Sequence, residues 1–475
     1  MKFSLKKMLV SGLLVGAMTF CAAGASSFDS AAQSLSDLGL VTGTANGFDL
    51  DRASTRGEVA AMLVRLLGKE AEAAEAWKTD EAGFAFTDMD DAAWAKPYVN
   101  WLVKNSLAAG TTETTFAPRD TCSAQMAATF LLRALGYSDA EGGDFTYFTS
   151  MDFAREKGLV DEFNCDEKNF QRDHLMAMCY TALSCQPKGG EGDLLSKLVA
   201  DGAVADNDAS KKVRDHFASC RAFVAAAEKT QATTSMAFKM TADMDMKLGT
   251  ESMKMKMDQD IAMKADMEKL GELEMAMTGS ITIDEGSGEP TTVPNTMYVK
   301  DGTAYVESAG QKMKMPMDFE QVMSQIGMSN MQQVSSMPVT LIDSLTVTTA
   351  DGKTTYDVVY NAKLMNNMVS SVMGSMMNSM GDLSGMNFSI DKVTAKEVLA
   401  DDNLESMDMD MTMSMGDGTE TVQVTAKMNM VITATGDAVS ITFPESFDGY
   451  VDASAAPAAD TAAPAEADSS IPDAA

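Results

Sequence analysis

Two arginines stand where a positively charged binding group would be placed. Arg56 lies in Thr55-Arg56-Gly57-Glu58 and Arg172 in Gln171-Arg172-Asp173-His174, each at the start of an apolar helical phrase. A guanidinium there can fork onto a carboxylate, and unpaired N–H groups at a helix start add positive potential. The same residues have plainer uses: Arg56 can pair with Glu58 in an ion pair of small worth, Thr55 can cap the helix and Glu58 can close a capping box. The second chemistry is that of thioethers, since 33 of the chain's 42 methionines fall between Met236 and Met430. Such side chains can replace Val, Ile and Leu in a core, form an adaptable apolar wall for acyl chains, or ligate copper(I) and silver(I). Met407 to Met415 invites the metal reading, but in one extended strand these residues share a face at wide spacing, and no His or Cys supports them.

Catalytic patterns are missing. There is no Gly-x-Ser-x-Gly turn, no His-Glu-x-x-His and no phosphate loop, and His174 and His216 are the only histidines. Abundant carboxylates leave a wall-associated hydrolase as a remote alternative, and the expectation is no enzyme, no cofactor and no resident metal. The net charge of -32 repels nucleic acid and anionic lipid surfaces. Of six cysteines, five lie beyond the N-terminal apolar run (Cys122, Cys165, Cys179, Cys185, Cys220), none in a Cys-x-x-Cys pair, so a zinc site is unsupported. Cys179 and Cys220 read as small buried apolar groups; a disulfide among Cys165, Cys179 and Cys185 stays open and unassigned.

The arginines are carried by repeated helical phrases. Thr55 to Gly68 and Gln125 to Gly136 end alike, and Gln171 to Leu183 is a degenerate third copy. Self-similarity at such a period marks stacked units that bury a core together. The middle unit is the fullest: Phe86-Thr87-Asp88, Trp94-Ala95-Lys96-Pro97-Tyr98-Val99 with a stripe through Leu102 and Val103, then Gly110 and Phe116-Ala117-Pro118. These motifs resemble the S-layer homology (SLH) domain, found in threes on bacterial surface proteins. The resemblance covers about a third of the chain. It implies a pseudo-threefold all-α bundle whose Thr-Arg-x-Glu turns line grooves for acidic secondary cell-wall polysaccharide, with Thr55, Arg56, Glu58 and Arg172 as binding residues. The match is uneven: the first unit lacks the tryptophan, the second has Cys122 and Ser123 for the Thr-Arg pair and Gln125 at the Glu position, and the third has His174 where Glu is usual. Trp94 reads as core packing.

Beyond residue 208 the pattern changes. Val213, Phe217, Cys220 and Val224 mark a helix. Methionines then alternate with Lys, Asp, Thr and Ser, as at Met253-x-Met255-x-Met257, the pattern of half-buried antiparallel strands. Lys300-Asp301-Gly302-Thr303 and Ala350-Asp351-Gly352-Lys353 signal hairpins, and helices are expected at Phe319 to Ile326 and Leu364 to Met380. This element order resembles the LolA-like lipoprotein-carrier half-barrel, which implies a curved antiparallel sheet and an apolar ligand such as lipid. Lys2, Lys6 and Lys7 before the run Met8 to Phe20, with Ala23-Gly24-Ala25, read as a signal peptide cleaved before Ser26. Phe20 departs from the small residue that would make Cys21 a lipidation site. The expected organisation is a signal at 1–25; three repeats within 26–185 (about 26–70, 84–138 and 144–185); a linker at 186–208 with room for a short helix at Leu194 to Ala200; a Met-rich α+β domain at 209–451; and a disordered tail at 452–475. The expected function is an exported, wall-anchored surface protein whose second half displays or binds something apolar, with a copper(I) or silver binder as alternative.

Overall fold

The structure, a computed structural model, describes residues 28–43, 47–161, 163–231, 235–264, 273–286, 288–308, 310–317, 338–366, 387–401, 403–416 and 420–452. The signal segment, the helix expected at 319–326 and the tail from 453 lie outside the described residues. Of the helix expected at 364–380, only its start is described, within a helical stretch at 362–366.

The first half is helical: α1 (Asp29–Asp37), α2 (Arg56–Leu66), α3 (Glu70–Asp80), α4 (Lys96–Lys104), α5 (Ala124–Ala134), α6 (Ser150–Glu156), α7 (Arg172–Ser184), α8 (Leu194–Ala200) and α9 (Asp208–Gln231). The phrases repeated in the sequence become α2, α5 and α7, each buried on nearly every side, as a helix apolar all round must be. They meet around Val59, Met62, Phe130, Leu131, Leu175 and Cys179. The less fully buried α3, α4 and α6 pack outside them. The stretch 186–208, expected as a linker, is instead folded. Asp193 caps α8 by accepting from the Ser196 N–H, and Leu194, Leu195, Leu198 and Val204 are buried in the helical core. The short helix that the sequence offers at Leu194 to Ala200 is α8, and it is the packing of its leucines into the core that the linker reading did not include.

The second half is one twelve-stranded sheet: β1 (Ser235–Leu248), β2 (Glu251–Lys264), β3 (Glu274–Asp284), β4 (Thr291–Lys300), β5 (Thr303–Ser308), β6 (Gln311–Pro316), β7 (Ile342–Ala350), β8 (Lys353–Tyr360), β9 (Asn387–Ala400), β10 (Asn403–Gly416), β11 (Thr421–Thr435) and β12 (Val451–Asp452). The order is β12-β6-β5-β4-β3-β2-β1-β11-β10-β9-β8-β7, antiparallel throughout except for the short β12–β6 pair. It is a large open sheet. The two signalled hairpins form β4–β5 and β7–β8, with Asp301, Gly302, Asp351 and Gly352 all at positive φ, the turn that matches strand twist.

The register puts the methionines on one face. Met407 lies opposite Met430, and Met430 opposite Met240; Met409 opposite Met428; Met244 opposite Met255; Met246 opposite Met253. The other face carries a charge ladder in which Lys427 lies between Asp410 and Asp243, and Asp243 opposite Lys256. Of the Met face, Met246, Met253, Met255 and Met415 are buried while most of the others are half-buried. Across its β7–β10 end lies α9, whose Cys220 and Phe223 pack on Ile342, Tyr356, Val358, Ala395 and Leu399. Phe223, rather than the expected Val224, is the buried residue there. Leu341 and Leu364 enter the helical core, and Ser30 Oγ to Asp343 (3.0 Å) and Lys363 to Asp29 (2.7 Å) tie α1 to the same edge.

Gly279 on β3 faces the side chain of Gln259, and a Cβ there would lie 1.9 Å from the Asp258 carbonyl and 2.7 Å from Gln259 Oε1. Gly279→Ala is therefore expected to destabilise the sheet by about 1–3 kcal/mol through overpacking, measured as a lowered denaturation midpoint in far-UV circular dichroism.

Candidate functional site

The loop that ends at Asp120 is built by the Phe-x-Asp motif. The Asp88 carboxylate accepts from the Phe116 N–H (2.9 Å) and the Ala117 N–H (2.7 Å), and Ala117 adopts φ 57. This turns the loop's carbonyls toward the start of α2. The Arg56 N–H donates to the Asp120 carbonyl (2.9 Å) and the Gly57 N–H to the Pro118 carbonyl (3.0 Å). The Arg56 side chain follows, with Nε on the Phe116 carbonyl (3.0 Å), Nη2 on the Ala109 carbonyl (3.3 Å), Nη1 on Met126 Sδ (3.5 Å) and the guanidinium 4.7 Å over the Phe116 ring.

Arg172 repeats the arrangement at the start of α7. Its N–H donates to the Arg52 carbonyl (2.8 Å) and that of Asp173 to the Leu50 carbonyl (3.1 Å); its Nε meets the Phe48 carbonyl (2.8 Å) and Nη1 Met62 Sδ (3.6 Å). Asp49 takes φ 50 where Ala117 takes 57. Both arginines are only 5% exposed. Burial, the largest effect on each, pushes their pKa values below the ordinary arginine value, yet a guanidinium stays charged. Neither makes an ion pair among the described residues.

Three expectations change. The helix N–H groups are not free for an anion, because the neighbouring loop already accepts from them. Glu58 does not pair with Arg56: it closes the capping box with Thr55 and forks onto Arg52, at 2.7 and 2.9 Å. Trp94 is 52% exposed, not core; it sits beside Ala95, which packs near Gly57 at the start of α2. In the middle unit, Ser123 and not Cys122 is the N-cap, accepting from the Met126 N–H. Ala124 therefore stands where Arg56 does, and Met126 where Glu58 does. Gln125 instead donates to the Tyr147 carbonyl (2.6 Å), beside Phe148, which is 87% exposed. The His174 ring accepts from the Gln171 N–H (3.1 Å) and stacks on Phe170. The five described cysteines are free thiols, and burial pushes Cys122 and Cys179 up to about 12, as expected of apolar filling.

Arg52 was missed by sequence reasoning. Its signal is its place four residues after Phe48, where the middle unit has Asp120 after Phe116.

A bundle of helices stitched at their starts to neighbouring loops, joined to an open sheet, defines an extracellular, cell-wall-associated surface protein once its relatives are considered. Residues 85–123 match the S-layer homology domain, and residues 222–447 match a family of unknown function, DUF6612. The chain thus carries an S-layer homology domain in its helical half. It is 33% identical over 110 residues to the surface layer protein of Brevibacillus choshinensis and 32% identical over 110 residues to the middle cell wall protein of Brevibacillus brevis. Each match covers 23% of this chain and 10% of the relative, so the chain spans about a tenth of the length of the curated relatives it matches. A solved β-barrel-like protein of domain family DUF1849 from Brucella abortus aligns over 42% of this chain and all of that one, at 12% identity and a TM-score of 0.16, too low to bear on the fold.

Arg56→Ala and Arg172→Ala should each lower stability by about 1–3 kcal/mol, because buried carbonyls lose their donors, while Arg52→Ala, on a half-exposed pair, should cost less than about 1 kcal/mol; urea denaturation measures all three. Burial pushes the Glu58 carboxyl up, but the Arg52 fork and the Thr55 N–H outweigh it and hold it below the ordinary value of 4.5. Its contribution is then fully present above pH 4.5 and lost as pH falls through the lower folded value. Glu58→Gln should flatten the acid limb of a stability–pH curve below pH 4.5 and leave the neutral region with the smaller loss of one charged pair.

Proposed function

We propose that this protein is anchored non-covalently to acidic secondary cell-wall polysaccharide through three SLH repeats, two of which supply binding grooves. The observation that carries the reading is the pair of buried guanidinium groups, Arg56 and Arg172, each held by carbonyls and a thioether and, among the described residues, in no ion pair with a carboxylate, in a chain of net charge -32. A buried charge normally has a counter-ion. A polymer carboxylate would supply it, with Thr55 and Glu58 at the rim of the first groove. Trp94 offers an exposed ring for the apolar face of a sugar. The middle groove, with Ala124 in place of arginine, would bind least. The protein acts as an anchored structural or display molecule and performs no catalysis.

The Met-bearing sheet is the displayed part, and its LolA-like half-barrel form belongs to this proposal. What supports an apolar-ligand role, lipid included, is that one long face is lined by half-buried unbranched thioethers, with α9 over its β7–β10 end.

The test is co-sedimentation of the full secreted chain with wall sacculi, before and after acid extraction of the secondary polymer. Binding should require the polymer. Arg56→Lys and Arg172→Lys, which keep charge and lose the fork, should weaken it, with Trp94→Ala weakening it without loss of stability and Ser123→Ala having the least effect. Equal binding by the Arg56→Lys, Arg172→Lys double variant and the unaltered chain would sink the assignment of these grooves.

A further inference from the structure

The geometry points to a soft-metal site on the Met face, formed by Met407, Met430 and Met240 beside Glu397, that takes a monovalent thiophilic cation such as copper(I) or silver(I). Along one strand, methionines on a face are two residues apart. Across strands the spacing is shorter: directly opposed residues have Cβ atoms about 4.5–5.5 Å apart. Met407, Met430 and Met240 are opposed in turn on β10, β11 and β1, so three flexible thioethers lie side by side. Met409 and Met428 form the next row of the same face. Thioether sulfur is a soft donor that selects copper(I), and an unbranched side chain can turn its sulfur toward a shared point.

The fourth member of the row distinguishes this place from the rest of the face. Glu397 on β9 lies directly opposite Met407, with Tyr356 on its other side. It is half-buried, makes no ion pair among the described residues, and burial pushes its carboxyl up to about 6. A carboxylate facing an apolar surface without a cation is costly. One monovalent cation held by three neutral thioethers and this carboxylate would leave the site uncharged. A second thioether row, Met236, Met263 and Met275, is continued by Val299, Ala304 and Met315, and it holds no carboxylate.

The site is independent of the apolar-ligand reading, and leucine substitution separates them because it removes sulfur while keeping the apolar face. The full chain, kept anaerobic, is titrated with copper(I) against the chromophoric chelator bicinchoninate, and with silver(I) as a redox-inert probe. The unaltered chain should take copper(I) from the chelator. The Met407→Leu, Met430→Leu, Met240→Leu variant should lose this competition, and Glu397→Gln should weaken it about tenfold. The Met236→Leu, Met263→Leu, Met275→Leu variant should retain it, and binding of an apolar dye should persist in all. Methyl NMR of 13C-methionine protein needs no variant fold: silver(I) should first shift the methyls of Met407, Met430 and Met240. The proposal is overturned if the unaltered chain cannot compete with the chelator, if the second-row variant loses as much as the first, or if silver shifts methyls across the face without preference.

Discussion

The helical half depends on how the first N–H groups of a buried helix are satisfied. A core helix such as α2 begins inside the protein, where orphan donors cannot turn to water. The neighbouring loop supplies the acceptors: Asp120 and Pro118 for α2, Arg52 and Leu50 for α7. Once the loop carbonyls face inward, Phe116 and Phe48 present theirs to Arg56 and Arg172. The guanidinium is thus both a stitch between units and a buried charge. Asp88 stands behind this, since without its two accepted N–H bonds the loop would not hold its left-handed turn at Ala117.

This explains why a structural and a binding use of arginine are not rivals here. The carbonyls satisfy donors but do not neutralise charge. A cation solvated by carbonyl dipoles stays available to an anion that reaches it, whereas a salt-bridged one, like Arg52 with Glu58, is already compensated. The surrounding excess of negative charge works against loose, nonspecific capture of anions.

The sheet obeys a different constraint. Its two faces differ because strand side chains alternate, so Lys and Asp pair across strands on one side while sulfur accumulates on the other. Aromatic and β-branched residues concentrate where the sheet meets other elements. Tyr356 and Val358 lie under α9, and Tyr298 and Tyr305 pack with Phe443 and Phe447. The tyrosine cluster lies on the face that carries Lys and Asp, whereas α9 covers part of the face that carries methionine.

Much was legible in the residues alone. The repeated helices, the two Asp-Gly hairpins and the alternation of Met with Lys and Asp follow from local periodicity and turn chemistry, which need no distant partner. Thr55 as N-cap and Glu58 as its box partner were readable for the same reason. What only the tertiary structure decided depends on residues far apart in sequence. It turned Trp94 outward, gave Glu58 to Arg52, filled the helix starts with another unit's carbonyls and packed the supposed linker through Leu194, Leu195 and Leu198. It also aligned Met407, Met430 and Met240 in one row with Glu397, because register between strands is set by long-range pairing and not by any stretch of chain read alone.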